Sequence, residues 1–517
     1  MRITIIGLML LMFTSPLVAN DWDTAEKERL PEETPREFQF LAYFITKGVA
    51  DNISSTTDVF KGQTVGRLFG GNYTSTNGPA TSYFEQRLLP FLIYQPKIFN
   101  GKALLRASFE VDWTWGDQNY GAGGNFGGGF GGDQTNIQTQ NIEVELIPRP
   151  GWAINLGLQR LYDTPYNPYR TFFSTMTYTG YRLHFWGSDA VGISVRHDQD
   201  FARLKLGYYQ LYENNIQERD DVALWEAMYE RDLTKTWRQG VSFWYVHDRS
   251  NGEGGVSIFN QGLTSALTAY NGVFRFPLGS DPYRADIFWL GTFFNQNPEF
   301  TLGRFALNGY AIANLGYVQQ HDEDGWRTST DIFGMAANLR AGYKYGQTAK
   351  DAVTLDILFT SGDDDALDDD LYSGVITGNT WTSPGALVIS SGAYLLFPHG
   401  NVVNRYVSAV SDLSNLGYGL IAGTLNFSKD IIPNKFSAKA GTALALSTVE
   451  PENGGRLIGL EVNGSVGYQF KIFMDWELYG AYLALGDFYD SALTNGNQTE
   501  KPDNAWALFS VFKWLMF

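Results

Sequence analysis

The feature that most constrains this chain is a two-residue alternation of apolar and polar side chains, repeated in segment after segment of about ten residues. The stretch from Ala103 to Trp113 shows it well. Ala103, Leu105, Ala107, Phe109, Val111 and Trp113 share one parity, while Arg106, Ser108, Glu110 and Asp112 hold the other. Successive side chains of a strand point to opposite faces, so such a segment is a strand with one apolar and one polar face. Ile458, Leu460, Val462, Val466, Tyr468 and Phe470 oppose Gly459, Glu461, Asn463, Ser465 and Gln469 in the same way. Val353, Leu355, Ile357 and Phe359 oppose Thr354, Asp356 and Thr360. In a soluble sandwich the polar face would meet water outside. In a membrane barrel the apolar face meets lipid and the polar face lines the lumen.

The N-terminus and the composition favour the barrel. Met1 and Arg2 are followed by an apolar run from Ile3 to Phe13, then Thr14, Ser15 and Pro16, with Ala19 as a cleavage residue. This reads as a secretory signal peptide over 1–19, because the run is too short to span a bilayer. No later stretch is apolar enough for a membrane helix. The chain has no Cys, which excludes a disulfide framework and a thiol catalyst. Its 56 Gly, 29 Tyr, 36 Phe and 14 Trp suit turns, crowded lumen positions and interfacial aromatic girdles. A net charge of -17 makes nucleic acid a poor partner.

Strands are expected near 36–49, 81–94, 102–115, 137–147, 151–161, 178–196, 201–212, 221–233, 237–248, 283–295, 305–319, 328–345, 352–360, 417–428, 435–447, 456–470, 474–486 and 504–517. That is an all-β, antiparallel transmembrane barrel of about 18 strands, with both termini at the periplasmic end. Its connections alternate between short turns, such as 148–151 and 347–350, and long loops, such as 51–80, the Gly-rich 116–135, 248–282 and 362–416. Residues 20–35 form a short periplasmic segment, too short for a plug, and 36–517 form one barrel domain. The run 319–324, which contains His321, reads as loop. The chain ends in Phe517, with Leu515, Val511 and Phe509 on the same face and Lys513 interrupting it. A terminal aromatic on an amphipathic last strand resembles the signal read by the barrel-assembly machinery. These features imply export to the outer membrane of a Gram-negative cell, among phospholipid and lipopolysaccharide.

By parity, the inward cations are Arg106, Arg182, Arg203, Lys205, Arg238, Arg340 and Lys344. The inward carboxylates are Glu110, Asp112, Glu226, Asp356 and Glu461. Such residues could form an arginine-lined track for anionic solutes, since a guanidinium fork matches a carboxylate. They could equally be neutralised cross-strand pairs that stiffen the wall. The acidic run Asp363, Asp364 and Asp365 supplies hard oxygen ligands that could hold Ca²⁺ or bridge lipopolysaccharide, although its spacing is not that of an EF-hand. The other reading of that run is a solvated acidic loop. None of the five His lies in a catalytic motif, so no catalytic residue is assigned and the chain is not read as an enzyme.

Two stretches carry a more specific resemblance. Asp356 to Asp365 (Asp-Ile-Leu-Phe-Thr-Ser-Gly-Asp-Asp-Asp) is followed by a long loop, then Leu396-Phe-Pro-His-Gly400 and Asn415-Leu-Gly417. Together they resemble the alginate export family of outer-membrane porins. Asn155-Leu-Gly-Leu-Gln-Arg160, followed by Thr177-Tyr-Thr-Gly-Tyr-Arg-Leu183, looks like an earlier strand pair of that family. The resemblance implies an 18-stranded barrel with an electropositive constriction and loops that partly close each mouth. It also implies a substrate class of anionic polysaccharides or small sugar acids. A general diffusion porin and a loop-filled structural or secretion-partner barrel are the competing expectations.

Overall fold

The computed structural model describes residues 37–517 apart from 56–63, 70–73, 115–128, 131–132, 161–188, 214–220, 251–281, 365–369, 377–391, 398–404, 411–412 and the positions 299, 472, 499 and 517. One sheet of 20 strands contains two fragments of two residues each; its remaining 18 strands form a ring. In chain order they are β1 (Phe38–Asp51), β2 (Thr81–Tyr94), β3 (Ala103–Thr114), β4 (Asp133–Leu146), β5 (Trp152–Arg160) and β6 (Asp189–Asp198). Next come β7 (Ala202–Tyr212), β8 (Val222–Asp232), β9 (Trp237–Asp248), β10 (Tyr283–Gln296), β11 (Phe305–Asp322) and β12 (Gly325–Lys344). The last six are β13 (Ala352–Thr360), β14 (Leu420–Ile432), β15 (Phe436–Leu446), β16 (Leu457–Lys471), β17 (Met474–Leu485) and β18 (Ala505–Met516).

Each strand pairs antiparallel with its sequence neighbours. The ring closes where β1 pairs with β18 in the register Ala42↔Met516 to Asp51↔Ala507. Closure leaves no free edge, which is how a sheet satisfies all its backbone groups in lipid. The start of β1 and the end of β18 lie at the same end as the short turns. Most connections at the other end are long.

The alternation expected from sequence sets the faces. Leu105, Ile142, Val144, Leu355, Ile357 and Leu460 are exposed on the outer wall, and Arg106, Glu143, Glu145, Asp356 and Glu461 are buried inside. Three differences have clear causes. Of the expected strand 178–196, residues 189–196 belong to β6, which runs on to Asp198, and 178–188 lie outside the described residues. The run 319–324 is not a loop. It forms the tip of a long β11–β12 hairpin in which His321 pairs with Trp326, and only 323 and 324 lie outside both strands. Its polar residues can stay in a ladder because this tip rises past the apolar band, where alternation no longer reports the strand.

The third difference concerns the last strand. Phe509, Val511 and Leu515 are buried inside the ring, whereas Leu508 and Trp514 face outward. Lys513 therefore does not interrupt a lipid face. It points inward and forms ion pairs with Glu477 and with Asp475, the latter at 3.6 Å. Apolar residues occupy both parities of β18, so parity alone could not choose between the faces.

Loops from the long-loop end fold into the ring and build an apolar core there. Tyr372, Val375, Ile376, Leu395, Leu396 and Phe397 are buried against inward residues such as Trp244, Trp289 and Ile312. Gly240 of β9 serves this packing: a Cβ there would collide with the ring of Phe293, itself 1 % exposed. Gly240→Ala is therefore expected to cost about 1–3 kcal/mol by overpacking. Denaturant unfolding in detergent measures this, and a smaller loss in Gly240→Ala combined with Phe293→Leu is the expected check.

Candidate functional site: the charged inner wall and its loop seat

The inner wall is built from cross-strand ion pairs, because residues directly opposite in register share a face at close range. Lys47 on β1 lies 3.6 Å from Glu85 on β2. Arg87 meets Glu110 at 2.6 Å and holds both oxygens of Asp112 at 2.8 Å. Arg106 bridges Glu143 at 3.2 Å and Glu145 at 2.9 Å, and Arg196 reaches Glu145 from β6 at 2.8 Å. Lys205 and Glu226 are 2.6 Å apart, and the Tyr209 hydroxyl donates to the same carboxylate. Nearer the short-turn end, Arg203 and Arg238 converge on Glu230 at 3.0 and 3.3 Å, and Arg238 also contacts Asp232 at 2.7 Å. Across the ring, Arg340 pairs with Asp356 at 2.8 Å, and the Asn338 amide donates to the same carboxylate.

The residues assigned to the lumen by parity fall into place as follows. Arg106, Glu110, Asp112, Arg203, Lys205, Arg238, Arg340, Lys344 and Asp356 all lie on inward positions, as do Glu226 and Glu461. Arg182 lies outside the described residues. All but Lys344 of these cations have a carboxylate partner, so the wall is a lattice of compensated charges more than a bare cationic stripe. Lys344 donates to the backbone carbonyl of Phe300 at 3.0 Å. Parity reading also missed inward cations: Lys47, Arg87, Arg196, Lys439 and Lys513. Arg87 sits on the same parity as Leu89, Phe91 and Ile93, which form an inward apolar cluster with Leu41 and Leu515. A mixed inner face hides a charge from an alternation test. Its opposition to Asp112 in the β2–β3 register is the signal that would have found it.

Lys439 is the other inward ammonium group with no carboxylate at ion-pair distance among the described residues. It stands 5.5 Å from the ring centre of Tyr394, which lies on the inward loop. Burial, reinforced by the Glu477 and Glu461 carboxylates, pushes the Tyr394 phenol up to about 12, so the ring stays neutral.

Glu461 fixes that loop. One carboxylate oxygen accepts the backbone N–H of Tyr394 at 2.7 Å, and the other accepts those of Leu395 and Leu396 at 2.9 and 2.6 Å. Asn463, two residues along the same face, donates to the carbonyl of Gly392 at 2.9 Å. Other wall residues hold the loop at further points. Trp289 donates to the carbonyl of Ile376, Asn314 accepts its N–H, and Thr360 donates to the carbonyl of Leu413. A buried loop needs these partners, since its backbone groups have lost water.

Of the segments quoted for the family resemblance, 361–364 and 415–417 belong to the same device, while 177–183 and 398–400 lie outside the described residues. The Ser361 hydroxyl accepts the N–H of Met335 at 2.8 Å, and Asp363 accepts the N–H of Ser373 at 2.9 Å. Asn415, Leu416 and Gly417 all have positive φ, 49, 61 and 89°, and so turn the chain back into β14. The expected metal run divides. Asp363 is buried and engaged with Ser373, Asp364 is exposed, and Asp365 lies outside the described residues. Among the described residues no three His or acidic side chains cluster as a metal site would require. At the short-turn mouth a cavity of about 620 Å³ opens between Phe201, Asp232, Trp237, Arg238 and Asn295.

The fold is a closed, 18-stranded antiparallel β-barrel. No protein-family model matches the sequence, and neither does any curated protein sequence. Among solved structures the chain is similar to the outer membrane protein opdK from Pseudomonas aeruginosa, with 9 % identity and a TM-score of 0.46 over 92 % of this chain and 98 % of that one. It is also similar to OccK9 (OpdG) of the same organism, with 10 % identity and a TM-score of 0.47 over 93 % and 98 %. OccAB4 of Acinetobacter baumannii matches with 9 % identity and a TM-score of 0.45 over 94 % and 100 %.

Proposed function

We propose that this chain is an outer-membrane channel that passes anionic solutes, of the size and chemistry of sugar acids or uronate oligomers, through a lumen narrowed by its own loops. The observation that carries this reading is the inverted polarity of the closed barrel: apolar side chains outside, charged ones inside. A wall with such an apolar outer band is stable only where hydrocarbon lies outside it. Its alternating long and short connections suit long loops at the cell surface and short turns in the periplasm. The anionic preference is supported by Lys344 and Lys439, whose ammonium groups have no carboxylate at ion-pair distance among the described residues. The resemblance to the alginate export family points to the same substrate class. In planar bilayers under a salt gradient, the refolded protein is expected to conduct with anion selectivity, and uronate oligomers should reduce the current. A cation-selective current would end the anionic reading and leave the channel standing.

Lys439→Glu is the sharper test of the wall. Reversal of the positive charge over the Tyr394 ring is expected to move the reversal potential towards cation selectivity, while barrel folding, read by heat-modifiable gel migration, stays unchanged. A second reading, a barrel closed by its loops that anchors surface components, is favoured by the Glu461 seat. It predicts no conductance in the unmodified protein.

A further inference from the structure

The outer wall also carries charge, and at the long-loop end of four neighbouring strands it gathers into a cluster with aromatic residues. At the long-loop end of β9 to β12, the outward positions are Tyr245 and His247, then Arg284 and Asp286, then Tyr317 and His321, then Trp326. Their register pairs are His247↔Asp286, Asp286↔Tyr317, Arg284↔Gln319 and His321↔Trp326. Asp286 is the hub. It accepts the Tyr245 hydroxyl at 2.6 Å and Arg249 at 2.7 Å, and contacts His247 Nδ1 at 3.0 Å. Arg284 is different. Its guanidinium lies over Trp326, 3.5 Å from the ring centre, it feels the like charge of Arg249, and its Nε is buried with no hydrogen-bond partner. Among the described residues no carboxylate forms an ion pair with it.

Height along the wall decides what such a cluster meets. One step further into the membrane, Phe288 stacks on Tyr245 with ring centres 4.6 Å apart, and then Phe243, Leu290 and Phe333 are exposed as lipid-facing residues. The cluster therefore begins where the apolar band ends, at headgroup level, at the end that carries the long loops. Resting on the outer-membrane reading, that level belongs to the outer leaflet, whose lipid is a phosphorylated glycolipid.

We propose that this patch binds a phosphate of lipid A, with Arg284 and Arg249 as the cationic donors and Trp326 and Tyr245 lying against the glucosamine headgroup. A phosphate would give the Arg284 guanidinium the hydrogen-bonded anion that no described residue supplies, and a planar fork suits phosphate oxygens. Asp286 holds Arg249 directly at 2.7 Å and acts on Arg284 only through space.

The test uses the full-length protein in detergent, titrated with bisphosphorylated lipid A, with its dephosphorylated form and with phosphatidylglycerol, read by native mass spectrometry. Lipid A is expected to bind saturably and more tightly than the other two. Arg284→Gln should weaken it about tenfold, and Arg284→Lys, which keeps the charge, by no more than about threefold. Heat-modifiable migration shows that each variant is folded. Equal binding of dephosphorylated lipid A, equal binding of phosphatidylglycerol, or unchanged affinity in Arg284→Gln would each overturn the proposal. A chain that enters bilayers and conducts, yet shows no phosphate-dependent binding, fails this proposal alone. A chain that never enters bilayers fails the membrane reading as well.

Discussion

Glu461→Ala is expected to open the barrel. The substitution strips the acceptor from three backbone N–H groups, those of Tyr394, Leu395 and Leu396, at a residue that is fully buried. Each unsatisfied donor costs about 1–3 kcal/mol, so the loop segment loses a large part of what fastens it to the wall. Released from the wall, it should leave the lumen, and single-channel conductance should rise severalfold with more frequent transitions. Glu461→Gln is the graded control, because its one amide oxygen can accept from part of the set and the current should be intermediate. If Glu461→Ala conducts as the unmodified protein does, the segment is not the constriction.

Lys205→Met is expected to give the largest loss of stability of any single wall substitution. The pair Lys205–Glu226 has side chains only 1 % and 0 % exposed and a separation of 2.6 Å. Removal of one member leaves Glu226 buried with the Tyr209 hydroxyl as its one hydrogen-bond partner among the described residues, at a cost of about 3–5 kcal/mol. Combining Lys205→Met with Glu226→Gln removes the stranded charge, and most of the loss should return. Denaturant unfolding in detergent gives both values. Equal losses in the single and the double variant would show that packing around the lysine stem matters more than its charge.

The strands were legible where each face is chemically pure. On β3, Arg106, Glu110 and Asp112 alternate with Leu105 and Val111, so alternation alone assigns their inward direction correctly. The same logic fails on β2 and β18, whose inner faces mix apolar and charged residues: Leu89, Phe91 and Ile93 share a parity with Arg87, and Phe509, Val511 and Leu515 with Lys513. These inner apolar residues answer to partners far away in the chain, which no local pattern encodes. The same holds for the site. Glu461 was legible as an inward acid, but not as the seat of a loop nearly seventy positions earlier, because that role depends on where the loop's backbone comes to rest. Parity likewise exposed the inward arginines and could not show that their neighbours neutralise them.

The join between the first and last strands carries one more consequence. It is held by ten residue pairs from Ala42↔Met516 to Asp51↔Ala507, and just past them the Asn52 side chain donates to the carbonyl of Asn504 and accepts the N–H of Trp506. The Thr76 hydroxyl donates to the carbonyl of Asp503, and Asn77 accepts the N–H of Asp503, so the loops beyond the strands are clasped as well. A ring parts most readily where its two ends meet, and here that place is bolted. At this seam the wall offers no sideways opening, and the ring can be completed only after the last dozen residues have been made.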